Sequence, residues 1–341
     1  MQAEPLITWS EPAREFVGFV AQFLAVGAVG FRFAALGSRL GAPAVAPAGD
    51  VALASEGDVY RQAARRAATL GLLGAFIQAV MLWESLPAAA GRAHLTVGQA
   101  LTSNFQIGAP VWLLVIALIG FIIAASGRLA GWWLAIIGVV VGPLVPLFAG
   151  KWLSLVNPVH RLMGGFWIGT LLVLVLAGLG TVLRDERSRE RRGQIAADMV
   201  NGFSPMALTC GGLLVLSGII TAWRHLTPFS SLWTTAYGWT LIVKLCLVAG
   251  VFALGAWNWR RQRPQMGTEG AAVAIRRSAR AELVLATCVL VATAILISLP
   301  SPQALARRAR ARSAPAASAV EATPRSAPAG VLTTPPAAPA P

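Results

Sequence analysis

Two residues whose side chains bind soft metal ions, His160 and Met163, stand three positions apart. On a helix this spacing places both side chains on one face. Imidazole nitrogen suits Cu(I) and Cu(II), whereas a thioether selects Cu(I). His225 and His94 lie at or just beyond the ends of neighbouring apolar runs, so they could add imidazoles to the same site. These four residues are the predicted metal ligands. The alternative is that His160 begins a helix at the membrane interface and Met163 fills packing space.

Lys244 is a charged residue deep inside an apolar run. It stands about seven residues from the end of the run, which is about 10 Å at 1.5 Å per residue. A charge in hydrocarbon costs at least ~2–3 kcal/mol, so it is rare there without a partner or a function. Glu84 and Glu15, near helix ends, are the candidate counter-charges. We expect Lys244 and Glu84 to act in gating or beside an ion path. The alternative is a structural lysine that pairs with an acid or reaches the interface.

Motifs of nucleotide-dependent and hydrolytic enzymes are absent from the sequence. It contains no Walker A loop, no H-E-x-x-H, no G-x-S-x-G and no dinucleotide-binding fingerprint. The chain is therefore predicted not to be an enzyme and not to bind a nucleotide. Transport powered by ATP hydrolysis within this chain is not expected.

The composition is that of a membrane protein. Of 341 residues, 56% are hydrophobic and 12% are charged, whereas about 25% are charged in a soluble domain. About 20 apolar residues in a helix cross a bilayer, and a single segment in lipid must be helical to satisfy its backbone. The runs that meet these criteria are 15–36, 67–86, 110–126, 131–150, 158–183, 204–224, 237–259 and 281–299. The predicted fold class is all-α, a polytopic transmembrane helix bundle of about eight spans.

Arginine is unevenly distributed among the loops. The arginine-rich loops contain Arg39, Arg61, Arg65, Arg66, Arg128, Arg184, Arg187, Arg189, Arg191, Arg192, Arg260, Arg261, Arg263, Arg276, Arg277 and Arg280. Because arginine collects in cytoplasmic loops, this set, with the loop 38–66, is predicted to be cytoplasmic and both termini extracytoplasmic. The net charge of +14 is explained in this way and does not indicate nucleic-acid binding. All three histidines then lie on the outer side. The arginines of the C-terminal tail disagree with this orientation.

The chain has three predicted parts. An N-terminal transmembrane half covers 1–155, a second transmembrane half covers 156–302, and a tail rich in Pro, Ala and Arg covers 303–341. The composition of the tail predicts disorder, since it cannot bury a core.

Small and special residues add three local expectations. The three cysteines lie inside apolar runs without C-x-x-C spacing, so we expect buried membrane residues and no disulfides. The pair Gly165-x-x-x-Gly169 predicts that another helix approaches the fifth run closely. Pro143 and Pro146 predict a kink near the end of the fourth run.

Three stretches of the second half share their order and spacing with a known family. The first is VHRLMGGFWIGTL, in which the matching residues are His160, Trp167 and Gly169. The second is LWTTAYGWTLIVKLCLVAGVFALGAWNW, in which they are Tyr237, Gly238, Lys244 and Asn258. The third is RRSARAELVLATCVLVATAILISLP, which contains an arginine-x-glutamate at Arg280 and Glu282. Together they resemble the copper resistance protein D (CopD) family of bacterial inner-membrane proteins, over about residues 157–302.

The resemblance implies a role in moving copper ions across the bacterial inner membrane, in partnership with a periplasmic copper-carrier protein. It implies that His160 is a copper ligand. We expect Trp167, which matches the family's W-x-G, to lie on the ion path with Lys244 and Glu84. The chain departs from the family in one respect. Members often have a histidine near the start of the first span, whereas the first span here, REFVGFVAQFLAVGAVGFRF, has none.

Two alternatives to copper transport and copper resistance remain open at this point. One is a membrane redox protein with a single haem held by His160 and His225, since haem iron takes axial histidines. The other is a membrane factor that assists the metallation of an oxidase.

Overall fold

The computed structural model describes residues 8–40, 51–149, 155–186, 189–225, 229–262 and 271–305. In chain order its α-helices are α1 (Ser10–Gly30), α2 (Val51–Arg92), α3 (Val97–Ser103), α4 (Phe105–Ala125), α5 (Leu129–Leu144), α6 (Val156–Gly164), α7 (Thr170–Val173), α8 (Leu179–Val182), α9 (Arg192–His225), α10 (Ser231–Thr234), α11 (Ala236–Gln262) and α12 (Ala271–Ser298). Eight helical segments in these ranges are long and apolar enough to cross a membrane. The predicted all-α bundle of about eight spans is confirmed.

The second helix begins well before its apolar run. It starts at Val51, so residues 51–66 of the predicted loop 38–66 are helical. Val59, Ala63 and Ala67 repeat every four residues and are buried against the bundle. This helical periodicity was masked by the charges between them, which had suggested a loop. Residues 41–50 of that loop lie outside the described ranges.

The third span also starts earlier than predicted. Asn104 accepts hydrogen bonds through Oδ1 from the backbone N–H groups of Gln106 and Ile107, at 3.1 and 3.2 Å. This is a side-chain N-cap, which satisfies donors that the first turn of a helix leaves unpaired. The helix therefore begins at Phe105 and includes Pro110 in its early turns.

The predicted change of direction near Pro143 and Pro146 coincides with a change of helix type. The α-helix α5 ends at Leu144, and a 3₁₀ helix covers Val145–Ala149. Pro146 has no backbone N–H, so it cannot continue the α-helical bonding to residue 142. In a 3₁₀ helix each hydrogen bond joins residues three apart instead of four. The N–H of Val145 makes such a bond to the carbonyl of Gly142.

The fifth span crosses α1 at very short distance. A Cβ atom built on Gly169 would lie 2.2 Å from the carbonyl oxygen of Phe23, and one on Gly27 would lie 2.2 Å from the carbonyl carbon of Gly169. Thr170 Oγ1 donates to the carbonyl of Gly27 at 3.4 Å across the same crossing. The close approach predicted from the glycine spacing is confirmed at Gly169, because only a residue without a side chain leaves the backbones room to meet.

Two π-helical turns interrupt the fifth span. They cover Gly165–Gly169 and Leu174–Gly178, and the α-helical pieces α6, α7 and α8 lie around them. A third π-helical turn, Phe31–Ala35, ends the first span. Such turns are rare, and they change which residues share a face of the helix. All three lie in the spans that cross at Gly27 and Gly169.

Ion pairs connect the helix ends at the arginine-rich end of the bundle. Arg39 lies 2.8 Å from Asp198 of α9, and Arg191 lies 2.7 Å from Glu56 of α2. The Glu56 side chain is 12% exposed, so this pair is shielded from solvent. The sequence indicated the arginines of this end but not their acidic partners.

The described cysteines are all free. Cys210 is buried, as predicted, whereas Cys246 and Cys288 are exposed on α11 and α12. The prediction of burial was wrong for these two. A cysteine in an apolar run can face lipid instead of protein, since both surroundings are apolar.

The chain divides into two compact units after Pro302. The first, 1–302, contains all eight candidate spans and is the one described above, except that the last span runs on to Leu305. Most of the tail predicted to be disordered, from residue 306 onward, lies outside the described residues.

Candidate metal site and ion path

His160 stands in the second turn of α6, facing α9. Its Nδ1 lies 2.9 Å from Oγ of Ser217. On the same side, a Cβ on Gly218 would lie 3.6 Å from Cε1 of the imidazole. Ser217 and Gly218 are small, so they leave room for the imidazole between α6 and α9.

The contacts of the Ser217 hydroxyl favour the tautomer of His160 in which Nδ1 carries the proton. Ser217 Oγ is 2.7 Å from the carbonyl oxygen of Leu213, to which it donates. With that proton engaged, Oγ acts as acceptor towards His160, so Nδ1 is the protonated nitrogen. Nε2 then has a free lone pair. Histidine ligands of metal ions have this arrangement, in which one nitrogen donates to a fixed acceptor and the other faces the metal.

A second polar contact joins α6 and α9 one turn from His160. Thr221 Oγ1 lies 3.4 Å from the side-chain amide of Asn157 and 2.9 Å from the carbonyl oxygen of Ser217. Ser217 and Thr221 are four residues apart, so they lie on one face of α9. The contact holds the start of α6 against α9 and thereby maintains the position of His160.

Lys244 has no described contact with His160, but the two residues interact electrostatically. Lys244 is half-buried in α11, and its charge is close enough to act on the imidazole. Within the described ranges, no carboxylate lies within ion-pair distance of Lys244. A positive charge beside His160 disfavours the arrival of a second cation.

The predicted counter-charges of Lys244 are placed elsewhere. Glu84 lies 3.8 Å from Arg14, and both side chains are more than half exposed. Glu15 interacts with Arg161. The prediction that Glu84 or Glu15 pairs with Lys244 was wrong, because membrane depth does not specify which helices are neighbours. Helix α2 packs against α1 and α4, whereas α11 packs mainly against α12.

Trp167 contacts α11 below the level of His160. Its ring packs against Phe252 with 4.8 Å between centroids, at an interplanar angle of 40°. A Cβ on Gly211 of α9 would lie 3.1 Å from Phe252 and 3.9 Å from Trp167, so the two rings fill the space beside this glycine. Trp167 comes seven residues after His160, and Phe252 comes eight after Lys244. The aromatic pair is therefore about two helical turns deeper than the His160 and Lys244 pair.

The other predicted ligands are not brought to His160 by any described contact. Met163 is half-buried and packs against the main apolar core. His94 is exposed and follows the end of α2. His225 is the last residue of α9, and its side chain lies outside the described part. In the residues that the structure describes, no three His, Cys, Asp or Glu side chains cluster as a metal site would require.

His94 has a structural role that the sequence did not indicate. Its φ is +56°, in the left-handed region. Its N–H bonds the carbonyl of Gly91 at 3.1 Å, and the N–H of Leu95 bonds that of Ala90 at 3.0 Å. This pair of bonds is a Schellman motif with His94 at the C′ position, which ends α2.

Asn258 and Glu282 form a contact between α11 and α12. Asn258 Nδ2 donates to Oε1 of Glu282 at 2.6 Å. Both were noted in the sequence as positions of the family resemblance, but not as partners. The sequence could have predicted this pair. Helices joined by a short connection pack antiparallel, so the end of α11 lies beside the early turns of α12.

Comparison with known proteins finds a family match within the last three spans. Residues 197–296 match the family model described as copper resistance protein D. The predicted resemblance to the CopD family is confirmed over these residues. We refer to 197–296 as the CopD segment. It contains Ser217, Lys244, Asn258 and Glu282, whereas His160 and Trp167 precede it.

One curated relative matches part of this chain. A copper transport protein, CutJ, of Bacillus subtilis (strain 168) is 32% identical to this chain over 148 residues. The match covers 43% of this chain and 25% of the relative, so the chain spans about a quarter of the length of the relative that it matches. No solved structure matches the chain.

Proposed function

We propose that this protein carries copper ions across the bacterial inner membrane and takes them up at the periplasmic face. The observation that carries the proposal is that Ser217, which contacts His160, and Lys244, whose charge acts on it, both lie in the CopD segment. The copper transport named for the Bacillus relative supports the same substrate. The site itself has the chemistry to fit, since an imidazole with a free Nε2 binds copper.

Each residue of the site has a distinct proposed role. His160 binds the ion through Nε2, and Ser217 holds the imidazole in the tautomer that this requires. Met163 and His225, on the same helix and on the neighbouring helix, supply further ligands when copper is bound. Lys244 repels a cation from His160 until its charge moves or is lost, and so controls entry. The Trp167 and Phe252 pair closes the path below the site.

The periplasmic direction rests on the distribution of arginines. His160 lies at the end of the bundle opposite the ion-paired Arg39 and Arg191. Arginine-rich loops are cytoplasmic in bacterial membrane proteins, so the His160 end would face the periplasm. There a soluble copper carrier could present its ion to the site.

The proposal is tested by cellular copper content at matched levels of membrane protein. Cells that produce the intact chain should differ in copper content from cells with an empty vector, and His160→Ala should abolish the difference. The matched control is Thr209→Val on α9. Thr209 is exposed, and its hydroxyl bonds only the carbonyl of Pro205 four residues earlier, at 3.0 Å. Unchanged copper content with the intact chain would overturn the transport proposal.

Two further readouts separate the alternatives. A Soret band in the spectrum of the purified protein would indicate haem and count against plain copper transport. Loss of oxidase activity in a deletion strain with normal copper content would indicate a factor for oxidase metallation instead.

A further inference from the structure

Glu282 is a half-buried carboxylate of the CopD segment that neither the proposed copper path nor a described ion pair uses. It stands eleven residues after the first residue of α12, within the candidate span Ala272–Leu305. On the same face of α12, Ala279, Ala286, Ile275 and Val289 are buried. The other two positions three or four residues away, Leu285 and Ser278, are half-buried. The carboxylate thus occupies a stripe that is mostly apolar. A polar group in such a place is costly and usually functional.

The only described partner of Glu282 is neutral. Asn258 Nδ2 donates to Oε1 at 2.6 Å, and no described arginine or lysine lies within ion-pair distance of the carboxylate. Lys244 stands fourteen residues before Asn258 on α11, which is about 21 Å along the helix. An amide cannot neutralise a carboxylate, so the ionised form keeps its full charge in an apolar region.

The charged groups on α12 and on the elements around it are engaged elsewhere or exposed. Asp198 of α9 pairs with Arg39. Arg32, which follows α1, donates to the carbonyl of Gly37 at 3.2 Å. On α12 itself, Arg280 is exposed and two residues from Glu282, so it lies on another face. Arg260 of α11 is exposed as well.

A proton is the ligand that fits this arrangement. Binding converts –COO⁻ and H⁺ into –COOH, which removes the buried charge without any oxidant or reductant. Asn258 donates to Oε1 and can do so in both states, because a protonated carboxyl keeps one acceptor oxygen. The proton is then taken up at Oε2. The amide fixes the orientation of the carboxyl group while its charge changes.

We infer that Glu282 is a proton-binding site, held by Asn258, that couples movement of copper through the bundle to pH at its arginine-rich end. Asn258 ends the seventh candidate span, and Arg276, Arg277 and Arg280 precede Glu282 on α12, which places the carboxyl near that end. The coupling to copper rests on the proposed function. The proton-binding site itself does not.

The first test measures the proton without copper. The full chain in lipid vesicles is titrated with pH while the carbonyl stretch of protonated carboxyl groups is followed by infrared difference spectroscopy. Glu282→Gln should lose one titrating carbonyl signal. Glutamine keeps an acceptor for Asn258, so the helix contact is preserved. Asn258→Leu, which retains the carboxyl but removes its donor, should move the midpoint of that signal.

The second test measures copper entry into the same vesicles with a copper-sensitive dye inside. A single titrating group changes a rate by up to about tenfold per pH unit, so wild-type flux should follow pH with that slope at most. Glu282→Gln should flatten the profile. The matched control is Glu186→Gln, which removes a carboxylate that is 76% exposed, outside the candidate spans. It should keep the wild-type profile.

The outcomes are distinguishable. If the carbonyl signal survives in Glu282→Gln, the proton-binding site is refuted. If the signal is lost but copper flux keeps its wild-type pH profile, the coupling is refuted. If the signal is lost and the wild type moves no copper at all, the proton-binding site stands and the proposed copper function fails. Size-exclusion profiles equal to wild type show that each variant is folded.

Discussion

At the scale of single residues, the site depends on a serine that has no metal-binding chemistry of its own. Ser217 stands between the carbonyl of Leu213 and the imidazole of His160, at 2.7 and 2.9 Å. Its hydroxyl proton is donated to the helix backbone, so its oxygen accepts from Nδ1 of His160. This favours the tautomer in which Nε2 is free. Such partners of a ligand affect metal affinity almost as much as the ligand does.

Ser217→Ala should therefore weaken copper binding without unfolding the bundle. We expect a loss of about 10–100-fold in affinity, the usual effect of removing the partner of a ligating histidine. Copper titration of purified protein measures it. Thr209→Val is the control on the same helix, since it removes a hydroxyl with the same backbone bond and no contact to histidine. Equal affinities of wild type and Ser217→Ala would show that Ser217 does not orient His160.

For His94 we predict an effect on stability and none on copper binding, because its left-handed backbone conformation gives it a role as a helix cap. A left-handed residue with a side chain costs about 1 kcal/mol or more relative to glycine. His94→Gly should therefore raise the thermal stability of the protein in detergent, and His94→Val, with a branched side chain at φ +56°, should lower it. If His94→Gly instead reduces cellular copper in the way expected of His160→Ala, His94 is a ligand and not only a helix cap.

At the scale of elements, the crossing of α1 with the fifth span holds the two halves of the chain together. The crossing is made by backbone atoms at Gly27 and Gly169, with Thr170 bonding across it. It adjoins the π-helical turn that contains Trp167. The aromatic pair on the proposed path is thus positioned by a contact that involves no functional residue.

Gly169→Ala should destabilise the bundle. Its Cβ would meet the backbone oxygen of Phe23 at 2.2 Å, and backbone cannot move aside as a side chain can. We expect a loss of about 1–3 kcal/mol, as for other overpacked sites, seen as a lower melting temperature in detergent. Gly255→Ala on α11 is the control, because no atom lies within 4 Å of its added Cβ. That variant should be neutral or stabilised by about 0.5–1 kcal/mol. Equal melting temperatures for the two variants would contradict the close crossing.

At the scale of the whole molecule, the eight candidate spans behave as one compact unit. Residues 1–302 are not divided between the predicted halves 1–155 and 156–302. Phe19 and Phe23 of α1 pack with Leu290 of α12, so the first and last spans are in contact. The CopD segment is therefore completed by a helix that lies far from it in sequence.

The second half alone should not form a stable bundle. Residues 156–302 expressed without α1 would expose the glycine crossing and the apolar partners of Leu290. We expect rapid degradation in the membrane, and recovery when residues 1–155 are co-expressed as a separate chain. Pulse-chase labelling measures the lifetime. A truncation after Pro302, where the compact unit ends, is the control that should persist. A long-lived 156–302 fragment would show that α1 is dispensable.

Sequence alone determined the number and placement of the spans, because a bilayer selects for long apolar helices whatever their neighbours are. It also identified His160 and Lys244 by type and position, Asn258 and Glu282 through the family resemblance, and Gly169 as a contact point. Helix ends were less predictable, since they depend on local caps such as Asn104 and on amphipathic extensions such as residues 51–66.

Only the tertiary structure decided which of these residues are partners. It put Ser217 beside His160, joined Asn258 to Glu282, and placed Glu84 with Arg14 instead of Lys244. The reason is physical. Apolar helices in lipid are alike in hydrophobicity, so their arrangement follows from close packing at small residues such as Gly27 and Gly169. That information is spread over pairs of distant positions, and no single stretch of the sequence contains it.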